Sequence, residues 1–146
     1  MSWKYNNEDL TEIPKNMEGF VYIITNLTNN KKYIGKKHFW TRQKNQKTGR
    51  RQKKESDWKN YFGSCDELKE DLKNLGQENF IREILYICPH KKSMSYYETM
   101  EQFKRDVLMN NDYYNTNIEG KFFTSEKEKI YEMVLKNNNL TEISQF

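Results

Sequence analysis

The chain is short of cysteine, histidine and long apolar runs, and each shortage removes a class of protein. Only two cysteines and two histidines occur in 146 residues. Cys65 and Cys88 cannot build a disulfide framework, and no signal-peptide pattern precedes them, so a reducing, cytoplasmic setting is expected. A zinc site would need Cys65, Cys88, His38 and His90 together, at spacings that match no standard finger. No apolar run approaches membrane-spanning length, and no internal repeat is evident. Disorder is excluded by the opposite feature, an aromatic content of 14%. The length predicts one domain with a short appendage.

Acidic residues are missing from one long stretch. Between Lys36 and Lys54 the charged residues are Lys36, Lys37, Arg42, Lys44, Lys47, Arg50, Arg51, Lys53 and Lys54, all positive. The net charge of only +4 hides this asymmetry. Such a block implies a polyanionic partner, nucleic acid first. Its low apolar periodicity, with Gly49 inside, predicts an irregular loop or frayed helix.

Immediately before the block, residues 19–35 read GFVYIITNLTNNKKYIG. Two β-prone runs flank Asn26, Thr28, Asn29 and Asn30, whose side chains favour a turn, so a hairpin is predicted. Tyr22 and Tyr33 stand one on each run, close enough across a hairpin to share hydrogen bonds or simply to pack.

The remaining elements follow in order. Residues 1–18 read as an arm with apolar anchors such as Trp3. Ser64 and Glu67 have capping-box spacing, and Leu68, Leu72 and Leu75 mark one helical face stopped by Gly76. Phe80 to Ile87 predicts a third strand before Pro89. Ser95 and Glu98 again have capping-box spacing, and Tyr96, Met100, Phe103 and Val107 form a helical stripe to about Met109. Ser125 and Glu128 open a last amphipathic helix with Ile130, Val134 and Leu135. It is broken at Asn137 to Asn139, and another turn over Leu140 to Phe146 is possible. These readings divide the chain into an arm (1–18), a domain (19–118) and a helical appendage (119–146). The expected fold is α/β, more closely α+β, a small three-stranded, mainly antiparallel sheet flanked by helices.

GFVY, eleven residues from Tyr22 to Tyr33, and then YIG resemble the signature of the GIY-YIG endonucleases, with Phe-Val in place of the usual Ile. Arg42 seven residues past Gly35, Glu98 opening a later helix and Asn115 after it complete that family's ordered set. KKYIGKKHFW, SDWKNYFGS and SYYETMEQF are similar to the Seg-like homing endonucleases of tailed phages.

This resemblance implies a metal-dependent DNA endonuclease that hydrolyses phosphodiester bonds. Tyr22 would be the base, paired with Tyr33, and a nearby cation (Lys36, Lys37 or Arg42) would lower its pKa from the ordinary value near 10. Arg42 would bind the scissile phosphate. Glu98 would hold Mg²⁺, with Mn²⁺ as a substitute and Glu101 as the rival ligand. Asn115 would orient the site or support it structurally. Double-stranded DNA would be gripped by Lys36, Lys37, Lys44, Arg50, Arg51, Lys53 and Lys54, with Trp58 and Tyr61 as further contacts, and Trp40 and Trp58, flanking the block, stacking on bases or anchoring the loop. A homodimer, and a place in the cytoplasm of a phage-infected bacterial host cell, are further expectations. The family's usual histidine falls at Gln46, leaving Tyr61 or His38 as a replacement. The alternatives are a catalytically inactive DNA-binding protein with this fold, or a structure-selective nuclease.

Overall fold

The strand Gly19–Asn26 (β3) is buried along its whole length, and the rest of the molecule is layered around it. A computed structural model describes residues 1–132. The expected hairpin is present: β3 pairs antiparallel with Lys32–His38 (β4). Its turn is held by the Asn26 carboxamide oxygen, which accepts from the Thr28 amide at 2.9 Å, while Asn30 takes a left-handed φ of 64°. On its other side β3 pairs antiparallel with Phe80–Cys88 (β7), the expected third strand.

The sheet has five strands, not three, in the order β2-β1-β7-β3-β4. The two unexpected strands are Trp3–Tyr5 (β1), parallel to β7, and Glu8–Leu10 (β2), antiparallel to β1. Each has three residues, too few for alternation to register in the sequence. What holds them is long-range: the buried Trp3 indole donates to the Trp58 carbonyl at 2.6 Å. The fold is α+β with a mainly antiparallel sheet.

Alternate β3 side chains serve two cores. Phe20, Tyr22 and Ile24 pack with Trp3, Phe39, Trp58 and Leu68 on one face. Val21 and Ile23 pack with Ile34, Met94, Val107 and Ile118 on the other. The helix Asp66–Leu75 (α1) supplies Leu68 to the first face and ends at Gly76, as its sequence predicts. Its N-cap is Cys65 rather than Ser64.

Three further expectations are corrected. The basic segment is neither loop nor frayed helix but a β-ribbon of Trp40–Lys44 (β5) and Arg51–Glu55 (β6). Nearly every residue in it is exposed, so no apolar alternation marks it. The second helix, α2, spans Lys91–Lys104 and is capped by His90, not Ser95. Of its supposed apolar stripe, Tyr96 (65% exposed) and Phe103 (54%) face outward, Met100 is half-buried and Val107, past the helix end, is in the core, while within the helix Met94, Glu101 and Gln102 are buried. A short hairpin, Asn117–Ile118 (β8) with Phe122–Phe123 (β9), precedes the helix Lys127–Glu132 (α3). The expected break and final turn over residues 137–146 lie outside the described residues. Among the described residues no helix is long and apolar enough to cross a membrane.

Candidate active site

β4 is the outer edge of the five-stranded sheet, so both of its faces and its free edge are open to neighbouring elements. The register sets Tyr22 opposite Gly35 and Ile24 opposite Tyr33, which puts both tyrosines on one face. Their ring centroids are 6.2 Å apart. Gly35 is needed because the Tyr22 ring lies over it: a Cβ there would overlap the Tyr22 hydroxyl and sit 3.0 Å from Tyr33 Cε2.

The two phenols do not bond to each other in the way the hairpin alone suggests. Tyr33 Oη lies 3.3 Å from Ser64 Oγ. Tyr61 is edge-on to Tyr22, with ring centroids 6.1 Å apart, and its phenol adds to the rise in the Tyr22 pKa. Tyr61 is fixed by its backbone, whose carbonyl accepts from the buried Arg82 guanidinium at 2.9 Å. The Lys37 ammonium sits 4.2 Å from the centre of the Tyr61 ring and 2.6 Å from Asp57. Tyr61, expected as a DNA contact, is therefore part of a three-phenol cluster.

Electrostatics in that cluster run opposite to expectation. Burial, then the neighbouring Tyr33, Tyr61 and Glu98, pushes the Tyr22 phenol well above its ordinary pKa of 10. Burial likewise raises Tyr33. The cation expected to lower Tyr22 is not in contact with it: Lys37 is spent on Asp57 and Tyr61, and Lys36 turns to the opposite face, bonding Ser95 Oγ at 2.9 Å.

α2 approaches from that opposite face. It carries Glu98 into a polar cleft of about 350 Å³, lined by Tyr33, Ser64, Glu98, Gln102, Asn115 and Glu119 among others. Burial pushes the Glu98 carboxyl above its usual range, Glu119 adds to the rise, and Lys36, 3.9 Å away, opposes it. One turn on, Glu101 is closed off. Its two oxygens accept from Tyr86 Oη at 2.7 Å and Arg105 Nε at 2.8 Å, and it is 3% exposed. Glu98, not Glu101, is the α2 carboxylate that lines the cleft.

Asn115 acts on backbone. Its carboxamide accepts from Ile34 N at 3.0 Å and donates to Ile34 O at 2.8 Å, completing the free edge of β4 like one residue of an extra strand. Gln102 Nε2 also donates to Ile34 O, at 3.3 Å, and among the described residues the buried Gln102 Oε1 has no partner. Gln102 and Glu119 were not singled out from the sequence, and Ser64 only as a helix cap. Only Gln102 carried a usable signal, its i+4 spacing from Glu98 on one helix face.

Other expected residues lie elsewhere. Arg42, on β5, donates to Glu18 at 2.7 Å and is not among the residues lining the cleft. Burial raises the Glu18 carboxyl, but hydrogen bonds from Arg42 and His38 outweigh it and hold the group below the ordinary range. His38, one proposed histidine substitute, is thus committed to Glu18, 3.3 Å away. Lys44, Arg50, Arg51, Lys53 and Lys54 are exposed on the ribbon. Trp58 is corrected outright: it is 0% exposed, edge-on to Phe39 with its indole N–H on Glu55, so it has no face to offer a base.

Residues 3–118 match the family model described as "Putative endonuclease segE, GIY-YIG domain". Comparison with curated proteins and with solved structures returned no match. The matched segment covers most of the chain, from β1 through β8, and contains the whole cleft lining as far as Asn117. The chain belongs to the GIY-YIG endonucleases, on their Seg-like branch, a family of nucleases that hydrolyse phosphodiester bonds.

Proposed function

We propose that the cleft at the edge of β4 is the catalytic centre of a metal-dependent endonuclease acting on double-stranded DNA. The observation that carries this reading is convergence around one edge strand. Tyr33 lines the cleft from one sheet face, with the buried Tyr22 packed against it and Tyr61 edge-on to Tyr22, and the Glu98 carboxylate lines it from the other. Tyr22, as the phenolate, takes the proton of the attacking water, whose oxygen forms the new bond to phosphorus as the bond to the leaving 3′ oxygen breaks. Tyr61, edge-on to Tyr22, packs beside that phenol. Tyr33 and Asn115 are positioning residues, the latter because it fixes the backbone between Tyr33 and Gly35.

The residues present suit a hard divalent cation. The donors are oxygens, those of Glu98 and nearby Glu119. Magnesium ordinarily keeps several waters and needs only one or two carboxylates, so Glu98 would hold Mg²⁺, or Mn²⁺ in its place. When bound, the ion supplies stabilisation of charge on the leaving oxygen. Arg42 exchanges the Glu18 carboxylate for a DNA phosphate, one anion for another. Lys36, beside Glu98, and Lys37, beside Tyr61, add to the positive field there.

The likeness to Seg-like proteins extends the reading to homing or DNA processing in the cytoplasm of a phage-infected bacterium. A single centre makes one nick, so a double-strand break requires two successive nicks or a homodimer. Conversion of supercoiled plasmid to nicked circle in Mg²⁺, and none in EDTA, is the expected result. Nicking that persists in EDTA would overturn the metal dependence. Intact plasmid under both conditions would overturn the DNA endonuclease.

A further inference from the structure

The two faces of the β5–β6 ribbon present different chemistry. Directly opposed residues of an antiparallel pair share a face. The register therefore puts Trp40, Arg42 and Lys44 with Lys53 and Arg51 on one side. Thr41 and Gln43 lie with Lys54 and Gln52 on the other. The first face is rooted in the domain. Trp40 Nε1 donates to the Met17 carbonyl at 3.0 Å, Arg42 binds Glu18, and the Lys53 ammonium lies 4.2 Å from the centre of the Trp40 ring.

Rooting by one face turns the other away from the body. There Gln43 and Gln52 stand directly opposite each other, both exposed. The ribbon ends in a turn held by Asn45, whose side-chain oxygen accepts from the Lys47 amide at 2.8 Å. Strands about 4.8 Å apart make a ribbon that fits a major groove about 12 Å wide. From its tip to Lys54 the ribbon carries no acidic residue, and Glu55 at its base is held by the Trp58 indole. Lysine contacts to phosphate carry no sequence information, whereas a carboxamide offers one donor and one acceptor, the pattern adenine shows in that groove.

We propose that the ribbon enters the major groove of duplex DNA with its amide face inward, and that Gln43 and Gln52 are specificity-determining residues. Lys54, on that same face, and Arg50, at the turn, take the flanking phosphates. This inference rests on the DNA endonuclease reading above, and it gives that enzyme a sequence-reading element within its own nuclease domain.

Deep sequencing of the ends left on a random-sequence duplex library in Mg²⁺ tests it. The wild-type enzyme should prefer particular bases at a fixed offset from the cut. In the double variant Gln43→Ala/Gln52→Ala that preference should fall by about fivefold or more at the positions read. The salt dependence of binding should hold, because every cation remains. Gln43→Glu should move the preference toward cytosine, whose amino group a carboxylate accepts, a gain that misfolding cannot imitate. A wild-type enzyme that cuts without base preference, or variants with the wild-type preference, would overturn the ribbon's role and leave the nuclease standing. If wild-type protein cuts no member of the library, both the nuclease reading and this inference fall.

Discussion

The cleft at β4 and the β5–β6 ribbon use charge in opposite ways. At the cleft and just beneath it, ionisable groups are few, largely buried and displaced from their ordinary pKa values: Tyr33 and Glu98 on its lining, and Tyr22 behind Tyr33, are all raised, with burial the leading cause. On the ribbon, cations are many and exposed. Desolvation makes a group's protonation state depend on its fixed neighbours, which proton transfer and metal binding require. Exposure keeps charge constant and cheap to hold, which suits a long-range grip on phosphate. If the cleft does the chemistry and the ribbon supplies the affinity, as proposed, the two should break separately in this molecule.

The largest expected effects are in the cleft. Tyr22→Phe keeps the ring that packs on Phe20 and Trp3, so folding should change by no more than about 1 kcal/mol. Cleavage should fall by on the order of a hundredfold or more, read from plasmid nicking rates. Glu98→Gln should lose metal-dependent cleavage while DNA binding persists. Its stability should move the other way. A carboxyl raised by burial favours folding only below its unfolded pKa, and that contribution is lost as pH rises through the folded value. At pH 7 its charge therefore opposes folding, and Gln should raise Tm by roughly 1–3 °C in a thermal melt. A lowered Tm would mean that the carboxylate is a structural group.

On the ribbon, neutralising Arg50, Arg51, Lys53 and Lys54 together should weaken binding and flatten its salt dependence. The slope should drop by about 0.9 per lost phosphate contact, measured by filter binding against NaCl. An unchanged slope would place the ribbon away from DNA and end the comparison.

Glu101→Gln sharpens the contrast within α2. Replacing a buried carboxylate held by Tyr86 and Arg105 should cost about 1–3 kcal/mol in denaturant unfolding. The folded fraction should still cut. Loss of cleavage without loss of stability would move the metal to Glu101.

The smallest effects concern alkaline pH. Burial raises Tyr22, Tyr33 and Tyr114, the last to about 12. A phenol raised on folding supports stability below its unfolded pKa, about 10, and loses that support as pH climbs through the folded value. Unfolding free energy should therefore hold to about pH 10 and decline above it. Cleavage, if Tyr22 is the base, should rise with pH across the neutral range in single-turnover assays. A cleavage rate that is flat from pH 6 to 9 would remove Tyr22 from that role.

Much of the fold was legible because its signals are local. The β3–β4 hairpin is marked by two β-prone runs around Asn26 to Asn30, α1 by Leu68 and a Gly76 stop, and β7 by its density of β-formers before Pro89. The motif residues Tyr22, Tyr33, Gly35, Glu98 and Asn115 are recognisable from order and spacing alone, and the basic block from composition. β1 and β2 escaped detection because three-residue strands carry no period. The α2 stripe misled because aromatic spacing marks a helix face without saying whether anything covers it.

Other features were decided only in three dimensions. Glu98 and Glu101 are the same residue type three positions apart, yet Tyr86 and Arg105 close one while a cleft opens at the other. Trp58 is an aromatic beside a basic block in the sequence and a core residue in the fold. Asn115 reads as turn chemistry until it is found on the backbone of Ile34, 81 residues away. The amino-acid sequence by itself determines which elements form and which chemical groups are available, because periodicity, turn preference and residue type are local properties. Tertiary structure decides which of those groups are desolvated, paired or exposed, because the neighbours that set a group's environment come from distant parts of the chain.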